Sequence, residues 1–312
     1  MTSRADLWAQ SNGFGRRLSV PPVGRLSTLT TRRSRRCGIY LLYVGEGSVY
    51  LGRSVDVIDR LAQHRQARPD LREVRFRWCS RTEVNALERE LIRSAEVSGL
   101  PLVNIEQMSV VTGGRPLDVE VPIELQQAWL ADPRSINAKD TTPREEFTVA
   151  ERRPFVARHH RFSTLAEAPA AVEILRTYVA GCLLLPRRTE RDFWSLSCLP
   201  ATNASDRLAC MSVGRMETLV LGTSGGFVVV AADDLSDVAR RRYRRALRPS
   251  DYAAAGEHQV LLKATSLGGL AALLDDAEVS HAAAVLSYRV MRKGRTWYSR
   301  SHSPLLADDA LA

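Results

Sequence analysis

Polar side chains suited to phosphodiester chemistry follow one another between residues 40 and 104. They comprise two tyrosines, an arginine, a histidine, a carboxylate and an amide: Tyr40, Tyr50, Arg60, His64, Glu88 and Asn104. An arginine can hold a phosphate through two parallel hydrogen bonds and oppose charge that develops in the transition state. A histidine can move a proton or orient a water molecule. A single carboxylate can hold Mg²⁺ or Mn²⁺ when water and phosphate oxygens complete the shell.

The two tyrosines belong to short apolar runs that predict a β-hairpin. Residues 38–42 read Gly-Ile-Tyr-Leu-Leu, and residues 49–51 read Val-Tyr-Leu, with the turn-forming sequence Gly-Glu-Gly-Ser between them. Such runs on either side of a glycine-rich turn are typical of paired antiparallel strands. The phenol groups of Tyr40 and Tyr50 could then converge from neighbouring strands. Gly52 ends the hairpin, where a glycine allows a backbone or a phosphate to approach closely.

Two helices are expected to position the remaining groups. Residues 55–66 have apolar side chains at helical spacing, so Arg60 and His64, four residues apart, should share one helix face. Residues 82–95 form the second predicted helix, whose apolar stripe faces the core. Glu88 lies beside that stripe and should be partly buried, whereas Glu90 should face solvent.

This arrangement resembles the GIY-YIG nuclease family over residues 38 to about 108. Gly38-Ile39-Tyr40 matches the first tripeptide of the family, and Tyr50-Leu51-Gly52 matches the second with a conservative leucine. The resemblance extends to an arginine with a histidine four residues on, a glutamate on a later helix and an asparagine, which are Arg60, His64, Glu88 and Asn104 in this chain. It implies a small nuclease domain in which a sheet is flanked by helices.

The resemblance also implies roles for individual residues. Tyr40, helped by His64, would activate or orient the attacking water as general base, and Tyr50 would hold the water or the phosphate. Arg60 would bind the scissile phosphate, and Mg²⁺ or Mn²⁺ on Glu88 would stabilise the leaving 3′ oxygen. The supporting and DNA-contacting positions that it implies are Gly38, Gly52, Asn104 and the basic Arg53.

Each of these residues also has a purely structural interpretation. Tyr40 and Tyr50 could be core tyrosines, Arg60 and His64 could lie on a solvated helix face, and Glu88 could pair with Arg60 or Arg89. The order and spacing of the whole set favour the nuclease. The competing class is a non-catalytic DNA-binding protein that retains the nuclease scaffold.

The charge of the chain favours a polyanionic partner, and we expect DNA. The net charge is +9 over 312 residues, and basic proteins attract nucleic acid electrostatically. Residues 1–36 contain eight arginines and a single acidic residue, Asp6. This stretch is predicted to be a flexible basic arm that contacts phosphates. Alternative interpretations are an unstructured tail, a misassigned start or, less favoured, a transit peptide.

The chain is long enough for about two domains. We expect a nuclease domain over residues 37–110, a linker over 111–162 and a second α+β domain over 163–312 that holds or chooses the DNA. A helix in that domain carries many arginines near its end, where they also suit the helix dipole. These residues are predicted to contact DNA phosphates: Arg240, Arg241, Arg244, Arg245 and Arg248.

The remaining sequence features bear on the environment of the protein. The five cysteines include no Cys-x-x-Cys pair, so buried free thiols in a reducing cytoplasm are expected rather than a disulfide framework or a zinc site. No apolar run approaches the 18 residues of a membrane span, and the first residues lack the apolar region of a signal peptide. Oligomeric state has no signature in the sequence.

Overall fold

The computed structural model describes residues 3–24, 26–29, 36–44, 48–67, 71–102, 116–200, 206–256 and 258–312. The chain divides into two compact units, Met1–Gly113 and Gly114–Ala312. Each combines helices with an antiparallel sheet, so the predicted α+β fold class is confirmed.

The first unit is built on a four-stranded antiparallel sheet with the strand order β1-β4-β2-β3. Its elements in chain order are α1 (Arg4–Ser11), β1 (Leu18–Ser19), a 3₁₀ turn (Leu26–Leu29), β2 (Gly38–Val44), β3 (Ser48–Ser54), α2 (Val57–Ala67), β4 (Glu73–Trp78) and α3 (Val84–Val97). The hairpin and the two helices predicted from the sequence are present, whereas β4, the central neighbour of β2, was not predicted.

Alternation along β2 sends its side chains to two different cores, as the period of two in a strand requires. Ile39 and Leu41 face the cluster that includes Trp8 of α1 and Leu91 of α3. Tyr40 and Leu42 face the opposite cluster, which contains the apolar residues of α2. The strand is therefore buried on both sides, which explains its nearly continuous apolar sequence.

Much of the predicted flexible arm is folded. Ser3 caps α1 by accepting a hydrogen bond from the Asp6 backbone N–H, and Trp8 is buried. The Asp6 carboxylate accepts hydrogen bonds from the Tyr43 hydroxyl at 2.7 Å and from Arg75 at 2.7 Å. The flexible-arm prediction is thus wrong for residues 3–24, because the apolar residues of α1 supply a packing face that the arginines obscure. Residues 30–35 lie outside the described part of the chain.

The second unit contains a six-stranded antiparallel sheet in the order β5-β6-β7-β8-β10-β9. Its strands are β5 (Trp194–Cys198), β6 (Arg207–Val213), β7 (Met216–Gly222), β8 (Gly225–Ala231), β9 (Leu247–Pro249) and β10 (Gln259–Ala264). Its helices are α4 (Pro116–Glu120), α5 (Ile123–Ala131), α6 (Pro133–Lys139), α7 (Val149–Arg152), α8 (Val156–Ser163), α9 (Ala168–Cys182), α10 (Pro186–Thr189), α11 (Asp237–Arg242), α12 (Leu267–Asp275), α13 (Ala277–Met291) and α14 (Pro304–Leu311), with 3₁₀ turns at Arg153–Phe155, Ala232–Asp234, Ala253–Ala255 and Ser299–Ser301.

The linker predicted over residues 111–162 is largely part of this second unit. Leu117, Trp129 and Phe162 are buried in the same cluster as the helices and strands that follow. The Trp129 indole N–H also donates a hydrogen bond to Asn137 at 3.0 Å. Polar residues dominate the segment and hide these anchors, so the linker prediction is wrong for residues 116–162. Residues 111–115 lie outside the described part.

A buried polar network ties the C-terminal part of the second unit together. The Glu190 carboxylate accepts hydrogen bonds from Arg144 at 2.5 Å and from His302 Nε2 at 2.9 Å. His302 Nδ1 in turn accepts a hydrogen bond from the Leu196 backbone N–H at 3.1 Å, which places the ring proton on Nε2. Arg144 also pairs with Asp308 of α14. These partners compensate for the burial of the Glu190 charge.

Candidate active site

Two tyrosines and a histidine meet on the side of the first sheet that α2 covers. Tyr40 of β2 and Tyr50 of β3 point to the same face, because Tyr40 pairs with Gly52 and Leu42 pairs with Tyr50. Their ring centroids are 6.2 Å apart, and those of Tyr50 and His64 are 5.1 Å apart. Tyr40 Oη lies 2.9 Å from Nε2 of His64, within hydrogen-bonding distance. The two phenol rings thus lie near each other, as the predicted hairpin suggested, and His64 lies beside both.

Steric constraints explain why glycine occupies positions 38 and 52 of the two tripeptides. A Cβ atom on Gly52 would lie 2.5 Å from Tyr40 Oη and 2.6 Å from Tyr40 Cζ, so the phenol ring covers the glycine directly. A Cβ atom on Gly38 would lie 2.5 Å from the carbonyl oxygen of Arg77 in β4. Gly52 thus makes room for Tyr40, whereas Gly38 allows β2 and β4 to approach each other.

The Tyr40 phenol is held in its protonated form. Burial is the largest cause that raises its pKa, and the Tyr50 and Glu88 side chains raise it further. Arg60 acts in the opposite direction through a hydrogen bond and through its charge, but the pKa remains well above the usual range. Tyr40 is only 1% exposed, whereas Tyr50 and His64 are partly exposed. Tyr40 is consequently a proton donor or a relay at neutral pH and does not exist as a phenolate.

Arg60 extends the cluster towards solvent. It lies one helical turn before His64 on α2, and its pKa is raised by a hydrogen bond and by electrostatic interaction with Tyr40, and further by Tyr50. One guanidinium nitrogen, Nη1, donates to Gln63 Oε1 at 2.7 Å. The guanidinium is exposed while it remains near both phenols. An anionic group bound there would lie beside the tyrosines and the histidine.

Glu88 is buried, as expected, and one of its partners is an arginine that the sequence did not suggest. Arg53 Nε donates a hydrogen bond to Glu88 Oε2 at 2.7 Å. The Glu88 side chain is 8% exposed, whereas that of Arg53 is 45% exposed. Glu90 on the same helix is exposed. Arg53 therefore approaches the buried Glu88 from the solvent side.

The donor set at Glu88 fits Mg²⁺ or Mn²⁺ only with help from water and substrate. Within the described ranges, no group of three or more His, Cys, Asp or Glu residues could hold a metal ion. Mg²⁺ commonly binds through one carboxylate, several waters and substrate phosphates. The buried Glu88 carboxylate can serve as that one protein ligand. The predicted Asn104 lies outside the described residues.

The arginine-rich segment of the second unit is only partly helical, whereas the sequence predicted that a helix carries its arginines. The helix α11 ends at Arg242, so Arg244, Arg245 and Arg248 lie beyond it, and its N-cap is Ser236. Arg240 donates to the Leu235 and Ala232 carbonyls, and Arg248 to the Arg245 and Leu247 carbonyls, so both brace the backbone.

Three of the predicted DNA-contacting arginines remain at the surface without an acidic partner. Arg241, Arg244 and Arg245 are exposed, and no ion pair joins them to another residue in the part of the chain that the structure describes. The neighbouring Arg242, by contrast, pairs with Asp276 at 2.8 Å. The three arginines form a compact source of positive charge, hereafter the arginine cluster.

Gln63 is a residue near the site that the sequence reasoning did not select. Its side chain accepts the Arg60 hydrogen bond described above. The spacing of three residues on one helix is the signal that could have found it.

Comparison of the chain with protein-family models, with curated proteins and with solved structures finds no match. Among the described residues, no helix is both long enough and apolar enough to cross a membrane.

Proposed function

We propose that the chain is a Mg²⁺- or Mn²⁺-dependent endonuclease of the GIY-YIG type that hydrolyses DNA. The observation that carries the proposal is the contact between Tyr40 Oη and His64 Nε2 at 2.9 Å, beside Tyr50 and an exposed arginine. A proton acceptor, a phenol and a phosphate-binding cation within one cluster are the groups that phosphodiester hydrolysis requires.

His64 is the general base in this proposal, and Tyr40 positions it. Tyr40 is buried and its pKa is raised, chiefly by burial, so the phenol keeps its proton at neutral pH. In the tautomer that donates its Nε2 hydrogen to Tyr40 Oη, the neutral and partly exposed His64 has its lone pair on Nδ1, and this atom accepts a proton from the attacking water. The Tyr40 contact fixes the orientation of the imidazole, and the Tyr50 ring packs against it.

Arg60 and Glu88 act on the phosphate and on the leaving group. The exposed Arg60 guanidinium binds the scissile phosphate and opposes its developing charge. A divalent cation held by Glu88 would supply the charge that stabilises the leaving 3′ oxygen. In this proposal Arg53 moves from Glu88 to a neighbouring phosphate when DNA binds, so a half-exposed ion pair is exchanged for a phosphate contact and a metal contact.

The arginine cluster supplies DNA affinity in the second unit. Each phosphate that it neutralises should contribute a slope of about −0.9 to the dependence of log K on log salt. Replacement of Arg241, Arg244 and Arg245 by glutamine should therefore make the slope shallower by up to ~3 units. Arg242→Gln is the matched control, because Arg242 already pairs with Asp276. Equal slopes for the triple variant and the control would exclude the cluster from the DNA interface.

Cleavage assays test the catalytic part of the proposal. The full chain is incubated with Mg²⁺ or Mn²⁺ and a panel of plasmid, modified, branched and single-stranded DNA. Glu88→Gln should abolish cleavage, whereas Glu90→Gln, an exposed position on the same helix, should cleave like the parent. His64→Ala should remove the rise of kcat/KM with pH that deprotonation of a histidine base produces.

The assays also distinguish the competing class of protein. A chain that binds DNA and cuts no substrate with either metal would be a non-catalytic DNA-binding protein on a nuclease scaffold. Cleavage by Glu88→Gln at the parent rate would refute the metal assignment alone. An unchanged pH profile in His64→Ala would refute the choice of base.

A further inference from the structure

Two cysteines face each other at the end of the β2–β4 pairing. Gly38 of β2 pairs with Trp78 of β4, so Cys37 and Cys79 occupy the next pair of positions along the two strands. The Cys79 backbone N–H donates a hydrogen bond to the Cys37 carbonyl at 3.3 Å, which continues the antiparallel ladder to these residues. Opposed residues joined in this way have Cα atoms about 5.5 Å apart, within the range that a disulfide requires.

The two side chains also share a face of the sheet. Both pack against the cluster formed by Ile39, Leu41 and the apolar residues of α3. Burial raises the pKa of the Cys79 thiol, and the neighbouring Cys37 raises it further, as expected of two sulfur atoms on opposed positions of paired strands.

The remaining cysteines have a different environment. Cys37 and Cys79 are partly exposed, whereas Cys182, Cys198 and Cys210 are buried. Burial raises the pKa of each buried thiol to about 12, which keeps it in the unreactive protonated form. An oxidant in solution therefore meets only one pair of thiols that are both accessible and adjacent.

We propose that Cys37 and Cys79 are a reversible oxidation site that closes to an intramolecular disulfide in the presence of a peroxide. The peroxide oxygen adds to the Cys37 sulfur to give a sulfenic acid, and the peroxide is reduced to water. The Cys79 sulfur then attacks the Cys37 sulfur, the S–S bond forms, and the hydroxyl group leaves as a second water with the Cys79 proton. A small-molecule dithiol reverses the reaction by thiol–disulfide exchange.

The order of the two sulfurs follows from their surroundings. The pKa of Cys79 is raised by burial first, then by the neighbouring Cys37 and Glu83. A raised pKa lowers the fraction of Cys79 that is thiolate, and in the proposal Cys79 is the resolving thiol. The disulfide would fasten β4 to β2 one residue before Gly38, at the start of the strand that carries Tyr40.

Peptide mapping of the full chain tests the site without reference to nuclease activity. The protein is treated with hydrogen peroxide, alkylated, digested with trypsin without reductant and analysed by mass spectrometry. The expected product joins peptides 37–53 and 78–81 with the loss of two hydrogens. It should disappear after dithiothreitol, while Cys182, Cys198 and Cys210 stay reduced.

Two serine variants make the test decisive. Cys79→Ser should leave a sulfenic acid on Cys37 that dimedone traps, and Cys37→Ser should give markedly less trapped product on Cys79. The oxidised parent should also unfold at a higher temperature than the reduced parent, because the bond restrains the unfolded chain. Disulfide-linked dimers, or oxidation of Cys37 beyond the sulfenic state without a crosslink in the parent, would overturn the proposal.

Discussion

Gly52→Ala tests whether the second motif glycine exists to seat the Tyr40 ring. The added methyl carbon would lie 2.5, 2.6 and 2.8 Å from Oη, Cζ and Cε2 of Tyr40, up to about 0.9 Å closer than the 3.4 Å of ordinary contact. Tyr40 has no free space to enter, since it is 1% exposed and lies 2.9 Å from His64. Overpacking of this size costs about 1–3 kcal/mol of unfolding free energy.

The same displacement should affect catalysis more strongly than stability. A shift of about 1 Å at a reacting group can lower the rate on the order of 100-fold. Urea unfolding followed by tryptophan fluorescence measures the stability, and plasmid cleavage measures the rate. Replacement of Tyr40 by leucine in the Gly52→Ala background should recover part of the stability, because the ring carbons are removed, but none of the activity.

Gly15→Ala is the matched control in the same unit. A Cβ atom there meets only the Phe76 carbonyl oxygen at 3.5 Å, an ordinary contact, and Gly15 has no left-handed backbone. This variant should be as stable as the parent or slightly more stable. If Gly52→Ala unfolds at the same urea concentration as Gly15→Ala, the steric account of the motif is wrong.

Other predictions concern charged pairs. Burial is the largest single effect on the Asp6 carboxyl and raises its pKa, but it is outweighed by hydrogen bonds from Tyr43, Arg75 and Ser3 and by the charge of Arg17, so the pKa is lowered. The stabilisation that results is complete above the unfolded pKa of about 3.9 and is lost as the pH falls below it. Asp6→Asn should therefore be less stable at pH 7 and show a flatter loss between pH 4 and pH 2 in urea unfolding, and a loss as steep as that of the parent would contradict this. Glu190→Ala should lower the unfolding free energy of the second unit by about 3–5 kcal/mol, because Arg144 loses its buried partner. Urea unfolding measures this change, and a loss below about 1 kcal/mol would show that the network relaxes. Arg53→Ala should lower the Mg²⁺ concentration at half-maximal cleavage, because Glu88 loses a competing cation; an unchanged Mg²⁺ titration would refute that competition.

Several regular elements were predictable from their periodicity. The β2–β3 hairpin, α2 and α3 occur within a few residues of their predicted positions. β4 was not predicted, although Glu73, Arg75 and Arg77 alternate with its apolar residues in the period-two pattern of a half-buried strand. Arg75 is nevertheless buried, where Asp6 and Tyr43 compensate its charge. No local pattern indicates that a charged residue has such partners.

The sequence by itself determined the set of chemical groups and the faces that carry them. Tyr40, Tyr50, Arg60 and His64 were placed by strand alternation and by the four-residue repeat of a helix, which are local properties of the backbone. Only the tertiary structure decided that Arg53 is a partner of Glu88, that Tyr40 is buried and keeps its proton, and that Cys37 meets Cys79. These outcomes depend on which distant segments pack together, and on the desolvation that packing causes, neither of which is encoded in a short stretch of sequence.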